Sequence, residues 1–330
     1  MRKLLLGTTA LAAAATLTAN AALADVSISG GYEFKYASRS SNVNVNDGTT
    51  MTHGDTDMVI NFNNKTDSGL DITFRYDISP VGSADGGAMT IDEASLAIAG
   101  GFGKIILGMD DDAGDSYNID ESDLIAEDAA PAVASMTIST SSAVGSDDAM
   151  KVAYHLPAMG GLTAGISHTD RSAAGGTDTT SYGAQYTMDA AGAAITLGYA
   201  VIADENATQD VDSENMGVKI VSGDISVIIS QGGYEASDED RDNAGASISY
   251  KMPNGMTVGA YTFKSEDDLD TGEEYSRSGV ELQYTIASGL TAVINVDDYT
   301  YKEGTSDGTD ATLHVDDSGT QTQLTLKAAF

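Results

Sequence analysis

From Asp25 onward the chain is a succession of short stretches in which apolar and polar residues alternate. In Leu70-Asp71-Ile72-Thr73-Phe74-Arg75-Tyr76-Asp77-Ile78 every even position is apolar and every odd position is polar or charged. Side chains alternate faces along a strand, so one face of this stretch is wholly apolar and the other carries Asp71, Arg75 and Asp77. The same alternation runs from Val26 to Tyr36, from Met58 to Phe62, through Val280-Glu281-Leu282-Gln283-Tyr284 and through Thr322-Gln323-Leu324-Thr325-Leu326-Lys327-Ala328. One such stretch fits a strand of a soluble sandwich equally well. Repetition over the whole chain points instead to an antiparallel sheet closed into a membrane-spanning barrel.

The punctuation has a rhythm of its own. Tight Gly, Asn, Asp or Pro turns are expected at 64–69, 100–103, 157–161, 189–192, 222–224, 253–255 and 287–289, the chemistry that reverses a strand. They alternate with long connectors at roughly 38–57, 79–89, 110–149, 169–180, 202–213, 232–242, 264–276 and 297–319, rich in Asp, Glu, Ser, Thr and Gly. Seven turns join fourteen strands in pairs. The first stretch, 25–37, and the last, 320–330, are left to pair with each other and close a ring of sixteen. The fold class is therefore all-β, a transmembrane antiparallel β-barrel of sixteen strands, with one domain over 25–330. In such barrels the short turns face the periplasm and the long loops face outside.

Residues 1–24 read as a signal peptide: Arg2 and Lys3 open it, an apolar run follows, and Ala22-Leu23-Ala24 forms a cleavage site. No later stretch has the length or continuity of a membrane helix. The chain has no cysteine, so no disulfide framework exists. The formal charge is −34. The leader holds two basic residues and no acidic one, so the mature chain stands at −36. A surface this acidic excludes nucleic acid as a partner. The carboxylates crowd the connectors and the polar strand faces. There is no Trp, so the girdles at the two bilayer interfaces fall to Tyr and Phe, among them Phe62, Tyr76, Tyr186, Tyr199, Tyr250 and Tyr284.

The third connector is the longest and carries Asp110, Asp111, Asp112, Asp115, Asp120, Glu121, Asp123, Glu127 and Asp128. A solvated acidic loop and a loop folded into the barrel are both open on this pattern, although long functionless loops are uncommon in compact folds. Asp110, Asp112 and Asp115 supply the hard oxygens calcium prefers, without an EF-hand spacing. These oxygens would suit loosely bound Ca2+. Catalysis finds no support: His53, His155, His168 and His314 are dispersed and no triad spacing accompanies them. A secreted, calcium-binding acidic β-solenoid or adhesin would share the leader, the acidity and the missing cysteine. It demands a fixed nonapeptide period, which is absent.

The residues Asn64-Lys65-Thr66-Asp67-Ser68-Gly69-Leu70, then Gly101-Phe102-Gly103-Lys104-Ile105 and Leu107-Gly108, then the long third connector and the terminal Phe330, together resemble the trimeric sixteen-stranded general porins of Gram-negative outer membranes, especially the alphaproteobacterial branch. The resemblance implies a homotrimer in the cell outer membrane, contacting outer-membrane lipid and lipopolysaccharide. It implies a water-filled channel for passive diffusion of small hydrophilic solutes and ions; the excess of carboxylates on the inward register and the third connector makes cation selectivity the expectation. A substrate-specific channel of the same architecture is the alternative. It further implies an inward-folded third loop whose acidic side is Asp111, Asp112, Asp115, Asp120, Glu121 and Asp123. Facing it, the basic side of the wall would be Lys35 and Arg75, with Arg39 just above. Arg75 has a second reading, an ion pair with Asp71 or Asp77 along the wall. Phe330 resembles the terminal aromatic that the barrel assembly machinery recognises. The enterobacterial Pro-Glu-Phe-Gly-Gly loop motif is absent, and the mature chain has five arginines, which favours a pore of negative potential throughout.

Overall fold

A computed structural model describes residues 25–43, 47–80, 89–126, 139, 141–144, 148–170, 178–205, 210–237, 239–269, 272–302 and 316–330. The leader at 1–24, the tips of most long connectors, Glu127, Asp128 and His314 lie outside the described residues.

The chain forms one closed, antiparallel, all-β barrel. Closure runs through β1 (Asp25–Ser41) and β17 (Asp317–Ala329), which pair from Gly31↔Ala329 to Ser41↔Gly319. The first and last stretches thus meet as the leftover strands had to. On its other edge β1 pairs with two strands in turn. Its first residues pair with β3 (Met58–Lys65) and its later ones with β2 (Gly48–His53). These two are broken pieces of one stave, separated at 54–57, so seventeen strands fill sixteen places in the wall. β2 lies inside the connector expected at 38–57. Its Thr-Thr-Met-Thr run alternates too weakly to announce a strand, yet its backbone pairs fully with β1.

The ring continues through β4 (Asp71–Pro80), β5 (Met89–Gly100), β6 (Gly103–Asp110), β7 (Ala149–His155), β8 (Leu162–Thr169), β9 (Asp178–Ala190), β10 (Ala193–Glu205) and β11 (Asp210–Ser222). It is completed by β12 (Ile225–Glu235), β13 (Asp240–Lys251), β14 (Met256–Asp267), β15 (Glu274–Ala287) and β16 (Leu290–Lys302). All seven expected tight turns are present. Several strands outrun their apolar alternation: β10 and β11 stay paired out to Glu205↔Asp210, well inside the expected connector. Backbone pairing does not need an apolar face, so the alternation marks the buried band rather than the strand's full length.

The two faces of the wall differ as the pattern requires. Ile166, Leu197, Met216, Ile229, Ile248, Val280 and Ile294 project from one face and are exposed. Between them, on the opposite face, Ser167, Asn215, Ser230, Ser247, Glu281 and Asn295 are buried. This inversion of the soluble-protein rule suits a wall with hydrocarbon outside, where closure also leaves no unpaired edge. A bulge between β4 and β5 sets Asp92 and Glu93 against the single residue Asp77. It leaves Ile91 exposed while Glu93 stays buried on the polar face.

Candidate pore-lining site

The polar face of β7 to β15 carries a segment of the third connector. After β6, residues 113–126 form two short 3-10 turns, Asp115–Tyr117 and Glu121–Leu124. The second is capped by Asp120, whose carboxylate accepts from the Ser122 N–H at 2.7 Å. The backbone of this segment is held by wall side chains. The Ala113 N–H donates to Ser167 Oγ at 2.9 Å and the Gly114 N–H to Ser181 Oγ at 2.7 Å. The Ile119 N–H donates to Asn215 Oδ1 at 3.1 Å, and the Ala126 N–H to Glu281 Oε1 at 2.8 Å. Tyr117 Oη lies 2.8 Å from His155 Nδ1. A buried polar wall and a loop with unpaired amides satisfy each other, which is what keeps both dry positions affordable.

The six acidic candidates fall into two groups. Three are occupied in holding the segment. Asp112 pairs with Lys151, Nζ to Oδ1 2.8 Å, with both side chains buried. Asp120 is the cap. Glu121 is fully buried and accepts from Ser142 Oγ at 2.8 Å and Ser230 Oγ at 3.2 Å; its burial pushes its carboxyl upward, and the Ser142 hydrogen bond opposes this. The other three keep part of their side chains in reach of solvent. Asp111 is exposed, Asp115 is half-buried, and Asp123 keeps 36% of its side chain exposed with Lys219 Nζ 4.0 Å away. Asp115 is pushed up to about 6, first by desolvation and then by Asp111, Asp120, Asp112 and Asp123. Asp123 also rises to about 6, through desolvation and Asp120, with Lys219 acting against it.

On the basic side, the described ion pairs tie Lys35 and Arg75 to different carboxylates. Arg75 Nη2 lies 2.6 Å from Asp77 Oδ2, and its Nη1 pairs with Glu93. The reading of Arg75 as an ion pair along the wall is met by Asp77, with Glu93 as an unforeseen second partner. Lys35 Nζ is 3.4 Å from Glu33 Oε2, while Lys327 Nζ is 2.7 Å from Glu33 Oε1. Arg39 lies further along β1, partly buried and on the face of Glu33 and Lys35. Three further basic residues of the wall are buried, Lys151, Arg241 and Arg277, the last with its guanidinium 5.3 Å from the Tyr261 ring centre. Strand parity puts Arg277 with Glu281 on the polar face, so the alternation already held this information. Asn215, Ser167 and Ser181 were likewise on the polar register, but nothing in the sequence says what they hold.

The calcium candidates Asp110, Asp112 and Asp115 are not drawn together. Among the described residues, the carboxylates whose oxygens lie within 4.8 Å of one another are Glu93, Asp111 and Asp148, and Glu93 already faces Arg75. His168 is exposed on the outer face, 3.1 Å from Thr180 Oγ1. Phe330 is 86% exposed at the barrel's end, its N–H donating to Gly30 O at 2.9 Å.

The sequence model of the Gram-negative porin family matches residues 7–316. No curated protein sequence matches the chain. Among solved structures, the anion-selective porin from Comamonas acidovorans superposes with a TM-score of 0.66 at 14% identity, over 93% of this chain and 100% of that one. The in-vitro folded, trimeric form of OmpT, an outer membrane protein of Vibrio cholerae, gives 0.66 at 14% identity, over 93% and 99%. A mutant of the Rh. blastica porin gives 0.63 at 15%, over 93% and 100%. At these identities the likeness is one of fold.

Proposed function

The chain belongs to the Gram-negative porin family, and from that premise we propose that it is a cation-selective diffusion channel narrowed by residues 113–126. Family and fold make it an outer-membrane channel. Its finer character rests on one observation: a carboxylate-rich segment, tied to the polar face of the wall, keeps the side chains of Asp111, Asp115 and Asp123 in reach of solvent. In a closed barrel the face opposite the apolar belt is the lumenal one, so this segment folds inward and takes up part of the bore.

Transport through it is passive, with no energy coupling and no reaction. Small hydrophilic solutes cross by size, and ions by size and charge. Unit charges a few Å apart interact by about 1 kcal/mol in water and several-fold more beside a low-dielectric wall, so an excess of solvent-reaching carboxylates at a narrow point favours cations and repels anions. The fold alone does not set this preference, since the Comamonas acidovorans porin shares it and is anion-selective. A homotrimer is part of the reading, on the analogy of the trimeric OmpT structure. So is contact with outer-membrane lipid and lipopolysaccharide around the apolar belt, and loose association of calcium with the acidic loops.

The test is swelling of proteoliposomes in neutral sugars of graded size. The proposal expects unsaturable uptake that falls steadily with solute size. Saturable uptake of one sugar, with exclusion of others of equal size, would favour the substrate-specific alternative.

A further inference from the structure

Gly198 of β10 and Gly217 of β11 are direct cross-strand partners, both on the polar face. Ile119 sits over them, only 2% exposed. A Cβ on Gly198 would come within 2.8 Å of Ile119 Cδ1 and of the Tyr117 carbonyl oxygen. A Cβ on Gly217 would lie 2.6 Å from Ile119 Cβ and closer still to its carbonyl oxygen. The next pair of staves repeats the arrangement. Gly165 of β8 faces Gly183 of β9, and a Cβ on either would fall within 3 Å of Tyr117 side-chain atoms.

Glycine inside a strand weakens it and marks a place where another part of the chain comes close. Two cross-strand glycine pairs on neighbouring staves, each filled by one buried side chain of the same segment, form a notch cut to receive that segment. Asn215, two residues from Gly217 on the same face, clamps it by accepting from the Ile119 N–H and donating from Nδ2 to Ser142 O at 2.8 Å.

We propose that Gly198 and Gly217 are specificity-determining residues: by admitting Ile119 against the bare wall backbone, they set how far the segment stands into the lumen and hence the width of the aperture. This rests on the reading of residues 113–126 as the narrow part of the channel. The bore is then written as much into the wall as into the loop. A methyl group at either glycine drives the segment off the wall toward the lumen, because the atoms it meets include backbone that cannot swing aside.

The chain has no cysteine, so Ile119→Cys in the full-length, membrane-inserted protein gives one reporter thiol. Its labelling by a small, water-soluble thiol reagent and the single-channel conductance are measured with and without Gly198→Ala and Gly217→Ala together. Overpacking of this kind shifts a local equilibrium by about tenfold, so labelling should quicken by about that factor and the conductance should change. Gly233→Ala, where a Cβ meets only ordinary contacts at 3.5 Å and beyond, should alter neither. Unchanged labelling in the double variant overturns the notch. Faster labelling at unchanged conductance keeps the notch and overturns the aperture, and with it the assigned role. Should the double variant fail to insert, Ile119→Trp enlarges the same contact from the segment's side; it must change the conductance, and an unchanged conductance counts against the proposal.

Discussion

Lys151 Nζ lies 2.8 Å from Asp112 Oδ1, with side-chain exposures of 0% and 2%. The pair joins the first residues beyond β6 to β7 and anchors the start of the segment that crosses the polar face. Removing one partner of a buried ion pair leaves an uncompensated charge, at a cost of about 3 kcal/mol or more. Lys151→Met should therefore lower the unfolding free energy by about that much, read as an earlier denaturant midpoint of the refolded barrel. Lys151→Met with Asp112→Asn should recover part of the loss. A wild-type midpoint in the single variant would mean that the pair is solvated.

Acid should weaken the channel's charge preference. Asp115 and Asp123 are raised to about 6, so both are largely ionised at pH 7 and lose their charge as the pH falls through 6. The expected outcome is a cation preference that declines between about pH 7 and pH 5, well above the range of ordinary carboxylates. The linkage to stability has the opposite sense to that of a salt-bridged acid. A folded-state value above the unfolded one means that folding takes up protons, so the stability these two groups allow the fold falls as the pH rises from the ordinary carboxylate range near 4 to about 6, and is level above that. A selectivity that stays constant down to pH 4.5 would contradict this.

Arg75 holds Asp77 at 2.6 Å and also pairs with Glu93. Arg75→Ala releases two carboxylates to the polar face. Cation preference should rise, and the rise should shrink with added salt as screening takes over. An unaltered reversal potential would mean that this ion pair lies away from the conduction path.

Phe330 follows the closing strand β17 and is exposed, with its backbone hydrogen-bonded to Gly30. Its exposure suits recognition by assembly machinery. Deleting it should leave the pairing of β1 with β17 nearly intact, yet lower outer-membrane yield and leave chain in the periplasm. Unchanged yield, measured by heat-modifiable migration of membrane fractions, would remove Phe330 from that role.

Much of this is legible in the sequence. A period of two is unambiguous over 70–78, and the turns at 64–69 and 253–255 announce themselves by Asn, Gly and Pro. The strand β2 was not legible, because Thr-Thr-Met-Thr offers almost no polar contrast and its pairing is purely backbone. The bulge beside Asp77 was hidden for a related reason: it shifts the register by one residue, and a simple parity count then puts Ile91 on the wrong face. The acidity of 110–123 is plain in the sequence, but its division into buried, anchoring carboxylates and solvent-reaching ones is not. Asp111 and Asp112 are neighbours in sequence, yet Asp112 is buried on Lys151 and Asp111 is exposed. The glycines at 198 and 217 stood in plain view inside apolar alternation; their meaning depends on Ile119, about eighty to a hundred residues earlier in the sequence.

On the proposed function, the solvent-reaching carboxylates of Asp111, Asp115 and Asp123 give the channel its charge preference. It is tested most directly by the reversal potential across a planar bilayer in a potassium chloride gradient, for the wild type and for Asp111→Asn, Asp115→Asn and Asp123→Asn combined. The account predicts a cation-selective potential for the wild type that falls markedly toward zero in the triple variant, with Lys151 and Asp112 left intact to hold the segment in place. An anion-selective or null wild-type potential, or a triple variant that keeps the wild-type value, would contradict it.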